Sequence, residues 1–451
     1  MGFLRLPPNA KFSNKFLILF ALPVVFETIM VGFLGLADTF TVSFLGETAV
    51  AGVALVNRID TFVKQFLLAL GQGGCVVVSQ YIGAKRKELT CESMRENVRI
   101  IFLLGLLITA AVMIFKSAII SALFGNAQPE VLDISNQYYS ITVLSYPFTA
   151  LYYCCTNIYR SLGKSRITMI SGIVMMALNI LLKYIFIFHM DMGVYGAGLS
   201  TLIAIAVSGC TLLILLITRR NGERVSGLVT TKLNFGLSWK ILKVAIPNGM
   251  EQGMFQLGAL AIAGIVSGLG TVAISADQIA RNVSVLIYSG GSSFVAVMLM
   301  VVGRCCGADD ADDAKFYTKH ILKINYIYTF INAVILLAVL KPLIGIFRVS
   351  AETHLVAYQI MVLYIIGTVV LYPASFAVPA ALRAAGDASF VMWASGLSMF
   401  LFRVGAAYIF AYVFKMGVIG TWVAMISDWL IRSIIFAIRY LHGKWLDRKV
   451  I

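Results

Sequence analysis

PVVFETIMVGFLGLADTFTVSFLG (Pro23–Gly46) and PNGMEQGMFQLGALAIAGIVSGLG (Pro247–Gly270) are one pattern written twice, at a shift of 224 residues. Pro23 falls on Pro247, Glu27 on Glu251 and Met30 on Met254; Val42–Ser43 falls on Val266–Ser267 and Leu45–Gly46 on Leu269–Gly270. The register is still intact at Gly83–Ala84 over Gly307–Ala308. RSLGKS (Arg160–Ser165) then falls on RAAGDA (Arg383–Ala388) one residue off, and Gly193 returns to the original shift at Gly417. A constant offset over half the chain predicts a duplicated fold. Each copy opens on an apolar run long enough to cross a bilayer.

Composition extends that reading to the whole chain. Of 451 residues, 60% are apolar and 13% charged, with a mean hydropathy of +0.89. Ordinary soluble domains are about half apolar and about a quarter charged, and single cores stop growing near ~250–300 residues. A soluble enzyme and a disordered chain are excluded. Twelve spans are expected: 16–38, 51–80, 98–122, 134–158, 167–189, 193–217, 241–266, 272–303, 321–341, 354–381, 391–414 and 418–440. Six per half is an even number, so both halves enter the membrane in the same sense, as a parallel repeat about an axis along the membrane normal.

The net charge of +15 is a topology signal rather than a nucleic-acid footprint. Of 36 Lys and Arg, 26 lie in the termini (Arg5, Lys11 and Lys15 ahead of the first span) and even-numbered connections. Lys116, Lys341, Arg348 and Lys415 lie on the opposite side. Both termini are therefore expected in the cytoplasm. The first span is too long for a signal peptide and is expected to be retained. Residues 1–217 and 241–451 read as two lobes joined by a cytoplasmic linker, 218–240, and the GNAQ connection (Gly125–Gln128) is expected outside. Seven cysteines without C-x-x-C spacing and four scattered histidines predict packing residues, with no metal site, disulfide framework or cofactor.

Five stretches carry a family likeness: LADTFTVSFLG (Leu36–Gly46), SQYIGAK (Ser79–Lys85), YRSLGKS (Tyr159–Ser165), MGVYGAGLST (Met192–Thr201) and ALRAAGD (Ala381–Asp387). In this order and spacing the chain resembles the multidrug and toxic compound extrusion (MATE) transporters over nearly its whole length. The resemblance implies an all-α integral membrane protein of two pseudo-symmetric six-helix bundles in a V. It also implies export of amphipathic, usually cationic compounds against inward H+ or Na+. Archaeal and DinF-like members keep an Asp in helix 1, an Asn and an Asp in helix 5, and a Thr in helix 6. Asp38, Asn179 and Thr201 match three of these, and Lys183 stands where the helix 5 Asp would be. Of the helix 7 and helix 10 acids of the NorM-like branch, Glu251 sits about a turn early and Tyr372 replaces the second.

Ionisable residues inside spans are functional candidates, because isolated charges there cost at least ~2.5 kcal/mol. Six acids (Glu27, Asp38, Asp60, Glu251, Asp277, Asp428) face six bases (Arg58, Lys64, Lys183, Arg281, Arg403, Arg432). Asp60–Lys64, Asp277–Arg281 and Asp428–Arg432 are spaced i,i+4 on one helix face, which favours structural pairs. Glu27 and Glu251 read equally as gate residues or as helix-start acids. Arg403 falls on or beside Asn179 in the repeat, with Glu251 or Asp428 to neutralise it, and Arg432 joins that group. Tyr138 and Tyr139 are the aromatic candidates. The expected ion-coupling and substrate site is Asp38, Asn179, Lys183 and Thr201. The expected function is H+-coupled export of small organic compounds by a monomer in the cell membrane, with Na+ as the other coupling candidate. A lipid-linked glycan flippase is the alternative, a non-transporting scaffold is disfavoured by the lack of an added soluble domain, and no catalytic cluster marks an enzyme.

Overall fold

The computed structural model describes residues 6–7, 10–124, 128–218, 224–228, 230–347, 349–448 and 450–451, without the side chains of Leu36 and Phe124. Arg5, residues 125–127 of the GNAQ connection, 219–223 of the linker and Arg348 lie outside them. The described residues form twelve helical rods and no strand. These are α1 (Asn14–Ser43), α2 (Glu47–Gly83), α3 (Lys87–Phe124), α4 (129–161), α5 (165–189) and α6 (Gly193–Thr218). The second half contributes α7 (Phe235–Ser267), α8 (Thr271–Gly307), α9 (Ala311–Gly345), α10 (Ala351–Ala385), α11 (388–413) and α12 (Gly417–Leu441). Each expected span falls within one rod, except that 391–414 runs one residue past the end of α11. Among the described residues ten rods are long and apolar enough to cross a membrane; α4 is divided by a 3-10 turn at Val143–Ser145 into α-helical runs of 14 and 16 residues, and α7 is diluted by Glu251, Gln252 and Gln256.

The duplication is visible in the backbone. Left-handed conformations recur in step: φ is 96° at Gly46 and 93° at Gly270, 56° at Lys85 and 60° at Asp309. It is 48° at Asp191 and 54° at Lys415, and 55° at Gly193 and 57° at Gly417. Side chains other than Gly rarely accept this region, so a shared set of such turns is a structural signature rather than a composition effect. Gly196 and Gly420, one shift apart, each lie where a Cβ would run into the preceding helix end, at Phe186 and Phe410.

One residue breaks the register. The rod 165–189 has 25 residues and its repeat, 388–413, has 26. Both end in a π-helical turn, Ile185–His189 and Ile409–Val413. Only the second carries another, Met399–Gly405, where the first half is α-helical from Ser165 to Tyr184. A π turn holds an extra residue without ending the helix, so Met399–Gly405 absorbs the slip seen between RSLGKS and Gly193.

The compact units cut the chain at points other than 217 and 241. One comprises Phe26–Gly249; the other comprises Met1–Val25 with Met250–Ile451. Both cuts fall inside a helix, three residues after Pro23 and Pro247. A proline removes one backbone bond and disfavours a straight helix, which marks these as the places where α1 and α7 change unit. In the second unit Leu17, Phe20 and Val24 are buried with Phe294, Val301 and Ala381. Ahead of them Lys11 pairs with Asp310 (2.6 Å) and Asp313 (2.9 Å), the Tyr317 hydroxyl accepts from the Phe12 amide (2.8 Å), and His320 meets Asn14 (2.6 Å). In the first unit Ala245 packs against Gly73, where a Cβ would come within 2.5 Å of its Cα. Ser238 reaches Glu96 at 3.4 Å, one shift from Asn14 and His320. The described part of the linker is held by Arg99, which donates to the carbonyls of Leu228 (2.7 Å), Gly227 (2.8 Å) and Thr231 (2.9 Å).

Candidate functional site

Within the first unit, α5 presents Asn179 and Lys183 one turn apart on the same face. Asn179 donates to the Thr201 hydroxyl of α6 at 3.1 Å. Lys183 forms an ion pair with Asp38 of α1. The Lys183 side chain is 2% exposed and that of Asp38 30%, so the ammonium is enclosed while the carboxylate remains approachable. A buried ammonium is tolerated only with its counter-charge in place. Asp38 is therefore indispensable to Lys183, and any event that neutralises Asp38 destabilises this arrangement. Tyr138 and Tyr139 are buried in the core of the same unit, and the Tyr139 hydroxyl has no partner among the described residues.

Glu27 pairs with Arg160 at 2.8 Å and accepts from the Thr168 hydroxyl at 3.1 Å. In the second unit Glu251 pairs with Arg383 at 2.9 Å. Arg160 and Arg383 are equivalent in the repeat, as are Glu27 and Glu251, so the fold makes the same pair twice. Neither acid stands alone as a helix-start charge. Both arginines lie just beyond the expected spans, on helices that run on to 161 and 385, and so escaped the census of membrane charges. The signal was present: Arg over Arg in RSLGKS and RAAGDA.

The pairing of Glu251 with Arg403 or Arg432 is thereby corrected, because Arg383 already occupies that carboxylate. Asp60–Lys64 (2.5 Å) and Asp277–Arg281 (2.6 Å) form as i,i+4 pairs, but Asp428 and Arg432 do not. One oxygen of Asp428 accepts from the Ser398 hydroxyl. The Arg432 guanidinium lies over the rings of Phe255 (4.8 Å), Phe376 (4.9 Å) and Phe436 (5.7 Å), a cation–π arrangement. Arg403 makes no hydrogen bond or ion pair among the described residues, and its Nε is buried. No group of three or more His, Cys, Asp or Glu side chains among the described residues is placed to hold a metal.

The MatE family model matches residues 23–185 and 247–409, one repeat apart and starting on the two prolines. The probable multidrug resistance protein NorM of Thermotoga maritima is 25% identical over 443 residues, 97% of this chain and 94% of its own. The uncharacterized transporter YisQ of Bacillus subtilis is 26% identical over 447 residues, 97% and 96% of the two chains. The multidrug export protein MepA of Staphylococcus haemolyticus is 27% identical over 234 residues, 52% and 51%. Among solved structures, MATE in the bent conformation superposes with a TM-score of 0.88 at 18% identity, over 96% of each chain. An outward-facing multidrug resistance MATE family transporter gives 0.88 at 18%, over 96% of this chain and 97% of that one. These two likenesses establish the fold.

Proposed function

The chain belongs to the MatE family, a multi-pass membrane fold, and from that premise we propose that it exports amphipathic organic compounds in exchange for protons taken up at Asp38. The names of the NorM and MepA relatives support multidrug efflux. The observation that carries the choice of ion is the Asp38–Lys183 pair beside Asn179 and Thr201. Lys183 is a tethered cation at the carboxylate a Na+ would need. A second cation within ~4 Å of that ammonium is repelled by about 4 kcal/mol at an effective dielectric constant near 20, roughly a thousandfold in affinity. Protonation also gives up the ion-pair attraction, but a proton needs no coordination shell and leaves no second cation beside Lys183, so the carboxylate can exchange H+ where a Na+ has no room.

The cycle follows from charge balance. In the cytoplasm-facing state Asp38 is ionised and held by Lys183. A proton arriving from the outer side converts the carboxylate to a carboxylic acid, and Lys183 loses its counter-charge. That state favours a different arrangement of α1, in which the substrate leaves. Deprotonation toward the cytoplasm restores the pair. The positive-inside pattern supports cytoplasmic termini in the cell membrane. The surplus of Arg over acid around Arg432 is what speaks for a flippase instead. Everted vesicles loaded with a cationic dye, with pH and Na+ gradients imposed separately, test the proposal. Dye movement should follow the pH gradient and ignore sodium; sodium-driven movement refutes proton coupling.

A further inference from the structure

The buried charges of the second unit do not balance. Glu251, Asp277 and Asp387 each have a cation of their own: Arg383, Arg281 and Arg439. Arg403 and Arg432 are left to share Asp428, the acid whose field acts most strongly on both. Lys64, Lys183 and Arg160 of the first unit, by contrast, each have a carboxylate.

The shared group is also short of hydrogen bonds. Nε of Arg403, Nε and Nη1 of Arg432 and Nε1 of Trp429 have no partner among the described residues. Arg432 is 1% exposed and Trp429 3%, whereas Arg403 is only half-buried. Buried donors are normally satisfied, and an uncompensated guanidinium in apolar surroundings is disfavoured unless a ligand completes it. Asp428 Oδ2 and the hydroxyls of Ser375 and Ser395 are also without a partner among the described residues; the Arg432 guanidinium lies over Phe376, whose ring stacks on Tyr372 and meets Trp429 edge-on. The additional π turn, Met399–Gly405, contains Arg403 and has no equivalent in the first half. Such turns concentrate at functional sites.

We propose that Arg403 and Arg432 bind one oxyanion, the carboxylate of an amphipathic aromatic acid or zwitterion. One negative charge restores neutrality, a planar oxyanion accepts from guanidinium forks in the geometry they prefer, and the ring cluster takes the apolar body. An anionic lipid phosphate presents the same chemistry. That the bound acid is cargo rests on the transport reading; the site itself does not.

The test uses purified full-length protein in neutral detergent, with equilibrium dialysis and thermal unfolding against biphenyl-4-carboxylate and its carboxamide. The acid should bind saturably and raise Tm, with the amide at least tenfold weaker. Arg403→Gln should weaken acid binding at least tenfold and yet raise the Tm of the ligand-free protein, because it removes the cation in excess of Asp428 and leaves that acid to Arg432. Asp428→Asn, if it folds, should bind the acid more tightly than the unaltered protein. Phosphatidylglycerol that displaces the acid from the unaltered protein identifies a lipid as the occupant and supports the same site. Equal binding of acid and amide, unchanged affinity in Arg403→Gln, or a lower ligand-free Tm in that variant overturns the proposal. None of these readouts involves transport, so absence of efflux would refute the transport reading and leave this one standing.

Discussion

Glu251 Oε1 accepts from Arg383 Nη2 at 2.9 Å, and their repeat mates Glu27 and Arg160 make the same contact at 2.8 Å. Duplicated sequences diverge freely where nothing holds them, and only a pair that both copies of the fold require is present in each. The Glu251 side chain is 2% exposed and that of Glu27 12%. Removing one partner of a buried pair costs ~3–5 kcal/mol, largely through the charge left behind. Arg383→Gln should approach that loss and Arg160→Gln fall below it, read as the drop in yield and melting temperature of purified protein. Adding Glu251→Gln to Arg383→Gln should recover much of the loss. Additive losses would show that the two side chains act separately.

Asp38→Asn strips the buried Lys183 of its counter-charge and should lower folded yield as well as abolish dye efflux, whereas Asp38→Asn with Lys183→Gln should recover folded protein and still export no dye. Lys183→Asp places a second carboxylate beside Asn179 and should make transport partly sodium-dependent. Efflux at full rate from Asp38→Asn vesicles would refute the role given to that residue.

The π turn at Met399–Gly405 predicts an asymmetry in tolerance to deletion. Removing Leu401, 63% exposed, shortens the rod to the length of its repeat and lets the π turn relax to α-helix. The same deletion at Leu181, 54% exposed, falls in continuous α-helix and rotates Lys183, ahead of the π turn at Ile185–His189, by about 100° away from Asp38. Monodisperse protein should survive the first deletion and not the second, by size-exclusion profile.

Single cysteines at Lys232 and Lys444 should react with a membrane-impermeant maleimide only in everted vesicles, and at Lys116 and Lys415 only in right-side-out cells. The opposite pattern would reverse the topology inferred from charge.

The Lys11–Asp310 pair bears on pH dependence. Its hydrogen bond to Lys11 holds Asp310 below the usual carboxylate range, and the bond to Asp310, with that to Asp313, holds Lys11 above the usual ammonium range. A depressed carboxylate contributes stability above its unfolded pKa, near ~3.9, that is lost as pH falls through the folded value. A raised ammonium contributes below its unfolded pKa, near ~10.4, and that share is lost as pH rises through the folded value. Both contributions are intact between about pH 5 and 9. Lys11→Met should therefore lower Tm by an equal, small amount at pH 6 and pH 8. A pH-dependent loss within that window would point to another titrating group.

The helices were legible because their apolar runs and their repeat are local properties of the chain. Asp38 and Lys183 were legible as charges within apolar runs, and the family resemblance pointed to Asn179 and Thr201. Which acid meets which base was legible for Asp60–Lys64, Asp277–Arg281 and Asp38–Lys183, and not for Asp428, Glu251 and Glu27. Asp428 and Arg432 have ideal i,i+4 spacing, yet Ser398 of another helix claims the acid, and two phenylalanine rings from other helices with Phe436 of their own claim the guanidinium. Partner choice depends on helix rotation and on where each helix ends, and a composition boundary places neither. Arg160 and Arg383 were missed for the second reason.

The division of α1 and α7 between compact units bears on how such a chain arises. Residues up to Val25 belong with the second half, and those up to Gly249, from the opening of α7, belong with the first. A single ancestral half would have lacked the segment that completes its own core. Two copies would have supplied it to each other, which is domain swapping in a symmetric dimer. Gene fusion then turns a reciprocal exchange between subunits into an exchange within one chain. Fragments 1–228 and 229–451 should accordingly fail to fold when produced singly and recover when produced together.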